Sequence, residues 1–261
     1  MTPEQYRKIR DGLDARPTLR QLVLFCNHWL PAVPFVCYPV LLCLLNIRLS
    51  RLFLTQKQAA LDFMVLIARS VFVPGLVFWG GTLLRSRLHF PRPYEQPGFT
   101  PLVAKESRGH SMPSRHALSA AVLAAVWLYF YPAAGCVMVG IALLICCLRV
   151  LTGVHHVRDV LCGFALGLPH TAEYFGQEFF SCGPMWYLLA LMVGWILLDV
   201  ILNIFPEQYV PWAVAGCALL GWGVSLVWEP PFCLIQGAVI VPYLYIGFLA
   251  KKKHLLDEPL P

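Results

Sequence analysis

The chain has 261 residues, of which 58% are hydrophobic and 13% charged, about half the charged share of an ordinary soluble domain. Its net charge of +6 gathers at the ends of apolar runs, which suits membrane topology and an anionic ligand rather than nucleic acid. A soluble globular domain is excluded, and an integral membrane protein is expected.

In chain order, residues 1–25 form a basic polar segment with Arg7, Lys8, Arg10, Arg16 and Arg20. They lack the early apolar run and small-residue cleavage site of a secretory leader, so the first span is expected to stay as an anchor. Apolar runs long enough to cross a bilayer then cover residues 26–47, 59–84, 116–132, 134–152 and 157–173, followed by 184–205, 210–228 and 231–250. The predicted architecture is all-α, a polytopic transmembrane helix bundle of roughly eight spans. Residues 26–175 form its core, and residues 176–261 a transmembrane extension ending in the basic Lys251, Lys252 and Lys253. The ten cysteines lie mostly inside apolar runs without a CxxC pair, and are expected to be buried small hydrophobes.

Polar residues gather at the end of the second run, the start of the third, the end of the fourth and the start of the fifth. In an alternating bundle these four places share one side of the membrane. Charge inside a span costs about 2.5–3.5 kcal/mol per residue on insertion scales, so the fifth run, with Arg158 and Asp159, is expected to face its neighbours.

Three stretches carry chemistry. In LRVLTGVHHVRDVLCG, residues 148–163, Gly153 suits a helix C-terminus because it takes the left-handed conformation without steric cost. His155 and Asp159 then stand at i and i+4, on one helix face, where the carboxylate can fix the imidazole tautomer and free the other nitrogen as a nucleophile. His156, three residues from Asp159, is an equal rival on local geometry. In SMPSRHA, residues 111–117, Pro113 suits a first helical turn. The N–H groups of Ser114, Arg115 and His116 are then expected to be open to an anion, with His116 as a proton donor. In RSRLHFPRPYE, residues 85–95, Arg85, Arg87 and Arg92 supply cations, and Pro91 and Pro93 stop the helix. Each stretch alone has an ordinary structural explanation. Together they suit a phosphoryl group held by guanidinium forks, attacked by one histidine and protonated by another. No acidic cluster or His/Cys set suggests a metal, and no cofactor is expected.

In this order the stretches resemble the signature of the phosphatidic acid phosphatase type 2 (PAP2) superfamily: K-x6-RP, PSGH and SR-x5-H. Here they read Arg85-x6-Arg92-Pro93, Pro113-Ser114-Arg115-His116 and Leu148-Arg149-x5-His155, with Asp159 trailing. The resemblance spans about residues 60–170. It implies that His155 is the nucleophile, chosen over His156 by its spacing from Arg149, and that Asp159 orients it. It further implies that His116 protonates the leaving group and later activates water. Arg85, Arg92 and Arg149, with Ser114 and nearby backbone N–H groups including that of Arg115, would hold the phosphoryl oxygens without a metal. Three departures stand out. Arg85 replaces the motif lysine, exchanging a point charge for a fork. Arg115 replaces a glycine, and Leu148 replaces a serine.

The expected activity is hydrolysis of a membrane lipid phosphate or diphosphate at the bilayer edge of a cell membrane. Candidates are an isoprenyl diphosphate such as undecaprenyl diphosphate, phosphatidic acid and phosphatidylglycerol phosphate. The alternatives are a phosphatase of a soluble sugar phosphate and a non-catalytic anion-binding membrane protein. Counting crossings puts both termini on the side of the motifs. The positive-inside rule makes that side cytoplasmic.

Overall fold

The structure is a computed structural model that describes residues 2–103 and 107–176. The runs predicted at 184–205, 210–228 and 231–250 lie outside the described residues, which are helical and carry no strand. Helix α1 (Pro3–Asp14) is followed by α2 (Pro17–Trp29), a 3-10 turn (Leu30–Ala32) and α3 (Val33–Thr55). Next come α4 (Lys57–Arg87), α5 (Arg115–Phe130), α6 (Pro132–Leu151) and α7 (Val157–Gly176).

Among the described residues, three helical runs are long and apolar enough to cross a membrane: Pro17–Thr55, Lys57–Arg87 and Pro132–Leu151. The predicted first span is longer at both ends than its apolar run, because α2 continues through the 3-10 turn into α3. At 16 residues, α5 falls short of the ~20 that a lipid-facing span needs. It has no need of that length, since it runs inside the bundle and is buried from Ala117 to Trp127.

Helix α5 can sit there because it is rich in small residues, among them Ala117, Ala120, Ala121, Ala124 and Ala125. Between helices in lipid there is little hydrophobic drive, and close backbone approach supplies the packing instead. Helix α7 answers with Gly163 and Gly167, a GxxxG pair. A Cβ at Gly163 would stand 2.6 Å from the Ser114 carbonyl oxygen, and one at Gly167 would stand 2.7 Å from that of Leu118. Away from the polar end, Leu41 and Leu45 of α3 and Phe63 of α4 pack with Ala120, Ala124, Met138 and Ile145. Nearer that end, Leu84, Leu88, Phe90 and Met112 close on Leu118 and Leu166.

The N-terminal polar segment is folded. Thr2 and Gln5 form a reciprocal capping box at the start of α1, satisfying two N–H groups that the helix cannot. Tyr6 is 1% exposed. Its hydroxyl donates to the Leu151 carbonyl (3.1 Å) and accepts from the Leu102 N–H (3.0 Å). Its ring stacks on Phe99 with centroids 4.4 Å apart. Burial raises the Tyr6 pKa, so the phenol stays neutral and keeps its proton to donate. Helix α1 is thereby pinned to the end of α6, on the side where the polar helix ends meet.

The cysteines depart in part from expectation. Cys146 and Cys162 are buried, whereas Cys43, Cys136 and Cys147 are exposed among the described residues.

Candidate active site

Four helix ends and the segment between α4 and α5 enclose a cavity of about 400 Å³. Arg85, Arg92, Arg108, Arg115 and Arg149 line it, together with His110, His116 and His155. The predicted convergence of the ends of α4 and α6 with the starts of α5 and α7 is observed.

His155 lies in the short link between α6 and α7. Gly153, with φ +74°, ends α6 in the left-handed conformation, and the N–H groups of Val154 and His155 both reach back to the Arg149 carbonyl at 3.2 Å. The link is held tightly against the helix end. His155 Nδ1 is 3.6 Å from Asp159 Oδ2 and 3.4 Å from Ser111 Oγ. The Ser111 hydroxyl donates to the same carboxylate oxygen. This oxygen also accepts the His156 N–H at 2.9 Å, so one buried carboxylate both caps α7 and orients His155. With Nδ1 turned to the carboxylate, Nε2 is the nitrogen left for chemistry. His155 is 3% exposed. Burial lowers its pKa, against the opposing pull of Asp159, and this favours the neutral, nucleophilic ring. His156 has a different setting: its Nε2 is 3.4 Å from Gln96 Nε2, and it does not line the cavity.

Helix α5 begins at Arg115, two residues later than a start at Pro113 would give. Ser114 is its N-cap, in extended conformation, and its N–H is already spent on the Asp159 carbonyl at 2.9 Å. The expectation that this N–H is open to an anion is therefore corrected. Tight α5–α7 packing brings the Asp159 carbonyl within reach first. Ser114 is fully buried, and its Oγ has no hydrogen-bond partner among the described residues. Arg115 and His116, one step further along, do line the cavity.

The three motif arginines are each buried and each anchored to the protein. Arg85 Nη1 donates to the Pro113 carbonyl at 3.2 Å, and Arg92 Nε to the Gly109 carbonyl at 3.0 Å. Arg149 Nη1 donates to Asn27 Oδ1 of α2 at 3.0 Å, while its Nη2 reaches the His116 ring, 2.7 Å from Nε2. A guanidinium only donates, so the ring nitrogen facing it is the acceptor in this geometry. The segment carrying Arg92 and Arg108 is itself tied down. Glu95 Oε1 accepts the Gly109 N–H at 2.6 Å, the Tyr94 hydroxyl donates to the Ser107 carbonyl, and His110 Nδ1 sits 3.1 Å from the Arg85 carbonyl oxygen.

Ser111, Asn27, Glu95 and Gln96 are contributors that the sequence reading missed. Asn27 lies more than a hundred residues from its partner Arg149, and no local pattern signals that pairing.

Residues 59–181 match the model of the PAP2 superfamily. Among solved structures, the chain is similar to a transmembrane PAP2 type phosphatidylglycerolphosphate phosphatase from Bacillus subtilis. That match has 27% identity and a TM-score of 0.42, covering 66% of this chain and 83% of that one. No curated protein matches.

Proposed function

We propose that this protein is an integral membrane phosphatase that hydrolyses a lipid phosphate through a phosphohistidine intermediate. The observation that carries the reading is the Ser111–Asp159–His155 array, which faces a cavity walled by three anchored arginines with His116 beside one of them. A merely anion-binding site needs the arginines but has no use for an oriented, buried, neutral imidazole.

The phosphoryl group enters with its oxygens toward Arg85, Arg92 and Arg149, whose forks suit paired phosphoryl oxygens. His155 Nε2 attacks phosphorus, the bond to the lipid oxygen breaks, and His116 gives a proton to that oxygen. Once Arg149 exchanges the His116 ring for the phosphate, the ring nitrogen it faced takes up a proton from solvent, and this is the proton passed to the lipid oxygen. In the second half, His116 takes a proton from water, the water oxygen attacks phosphorus, and the P–N bond breaks to release inorganic phosphate. Ser114 lies behind the cavity wall and supports α5 rather than the anion. The positive charge comes from the guanidiniums, so no metal enters any step.

Helix α1 is pinned to the site end of α6, so the N-terminal arginines and the site share one side. By the positive-inside rule this side is cytoplasmic, in a cell membrane. The lipid chain stays in the bilayer while the headgroup enters the cavity.

The test is phosphate release from purified protein in detergent across lipid phosphates, lipid diphosphates and sugar phosphates, with acid-quench trapping of the phosphoenzyme. Preference for lipid substrates and an acid-labile, base-stable phosphoprotein are expected. Turnover of sugar phosphates alone refutes the lipid reading, and anion binding without turnover refutes the enzyme.

A further inference from the structure

Three arginines are enough to hold one phosphoryl group, yet five guanidiniums reach this cavity. The two groups differ in setting. Arg85, Arg92 and Arg149 are buried and fixed by hydrogen bonds to Pro113, Gly109 and Asn27. Arg108 and Arg115 are exposed at the rim, and neither has a hydrogen bond or ion pair with another described residue. Glycine stands at the Arg115 position in the family motif, so this side chain is a departure specific to the chain. Arg115 lines the cavity next to His116. Arg108 is held over the same opening because Ser107 and Gly109 on either side of it are tied to Tyr94 and Glu95.

We infer that Arg108 and Arg115 form a second anion subsite, for the inner phosphate of a diphosphate whose outer phosphate is the group transferred. Resting on the phosphatase reading above, this makes the preferred substrate a diphosphate. Unpartnered cations outside the anchored three gain little from a monoester, whose charge those three already match. A diphosphate carries its additional charge where they stand. Chemically, His155 Nε2 attacks the outer phosphorus and the bond from that phosphorus to the bridging oxygen breaks. The bridging oxygen leaves on the inner phosphate as a monophosphate, and water then releases inorganic phosphate from His155. Arg108 and Arg115 bind the leaving monophosphate and stabilise the charge that develops on its bridging oxygen.

The experiment compares kcat/KM for farnesyl diphosphate, farnesyl phosphate and inorganic pyrophosphate in detergent micelles, using the full chain and the variants Arg115→Gly, Arg115→Lys and Arg108→Ala. The expected result is a fall of roughly 10- to 100-fold in the diphosphate-to-monophosphate ratio for Arg115→Gly. A smaller fall is expected for Arg108→Ala, and partial rescue by Arg115→Lys. Both positions are exposed, so the variants are expected to fold, and an unchanged melting temperature in detergent verifies it. If pyrophosphate is cleaved as well as farnesyl diphosphate, with the same arginine dependence, the subsite stands and its ligand is a soluble diphosphate. An unchanged ratio in both Arg115→Gly and Arg108→Ala, with the wild type active, overturns the subsite and leaves the phosphatase reading intact. A wild type that cleaves none of the three defeats both.

Discussion

Helices α3 and α5 are both strongly apolar, and hydropathy alone does not tell them apart. Yet α3 buries only Pro34, Leu41 and Leu45 of its 23 residues, whereas α5 buries every residue from Ala117 to Trp127. On α3, Phe35, Val36, Val40, Leu44 and Ile47 are exposed, as suits large side chains that meet lipid tails. On α5 the alanines let α7 approach to backbone contact. The difference teaches where rigidity is placed. A catalytic site needs its groups held to within about half an ångström, and in this bundle that demand falls on the α5–α7 pair. Helix α3, with its large side chains exposed, has no such demand.

The largest break in the comparison is expected at the start of α7. His155→Ala should reduce turnover to background and remove the trapped phosphoenzyme, while His156→Ala keeps both, because only the first ring lines the cavity with a nitrogen to spare. Since burial lowers the His155 pKa, the acid limb of kcat/KM assigned to this ring should fall below the usual imidazole value of 6.5. Activity present above that limb is lost as pH falls through it. A phosphoenzyme that survives in His155→Ala and vanishes in His156→Ala would reverse the assignment.

Next in size is His116, at the start of α5. His116→Ala should lower kcat about 10²- to 10⁴-fold on an alkyl phosphate, the range for positioned acid–base groups. Much of that loss should disappear with p-nitrophenyl phosphate, whose leaving group departs without a proton. An equal loss on both substrates would make His116 a partner that merely orients Arg149.

Stability separates the two helices more directly. Gly167→Ala puts a methyl against the Leu118 carbonyl oxygen and should cost about 1–3 kcal/mol, the usual range for overpacking. Val36→Ala on α3 should stay within about 0.5 kcal/mol, as substitutions away from packed contacts do. Thermal unfolding in detergent checks both. Equal losses would mean that α3 is packed against protein after all.

Much of this was legible in the sequence. Apolar runs located the helices from α3 to α7 to within a few residues at most ends, because a span has to be both long and apolar. Motif spacing brought Arg85, Arg92, His116, Arg149, His155 and Asp159 to one end of the bundle. What stayed hidden depended on tertiary contact. GFALG at 163–167 is a close-packing signal, but nothing local says that it meets Ser114 and Leu118, and through that contact the Ser114 N–H is consumed. The apolar pattern alone did not show the extended N-terminal helix run, which carries Pro17, Pro31 and Pro34 near helix starts, where proline is tolerated. Tyr6 and Asn27 gave no sign of their roles, since each acts on a partner more than 90 residues away.

The smallest expected effect is none, on chelation. Metal-assisted phosphoryl transfer uses the ion to neutralise charge on the transferred group and to activate the attacking oxygen. In the mechanism proposed above the arginines supply the first function, and His155, as the direct nucleophile, replaces the second. Divalent ions also need a set of oxygen or nitrogen ligands. Among the described residues no group of three or more histidine, cysteine, aspartate or glutamate side chains is placed to hold one. Asp159 is fully buried, with one carboxylate oxygen occupied by Ser111 and the His156 N–H. An ion entering the cavity would also meet the field of the arginines, which repels cations. Phosphate release should therefore be unchanged after dialysis against EDTA, and vanadate should inhibit by occupying the same guanidinium cage. If activity falls on chelation and returns with magnesium, the electrostatic account fails at its centre, and the arginines of α4 and α6 must then be assigned to binding alone.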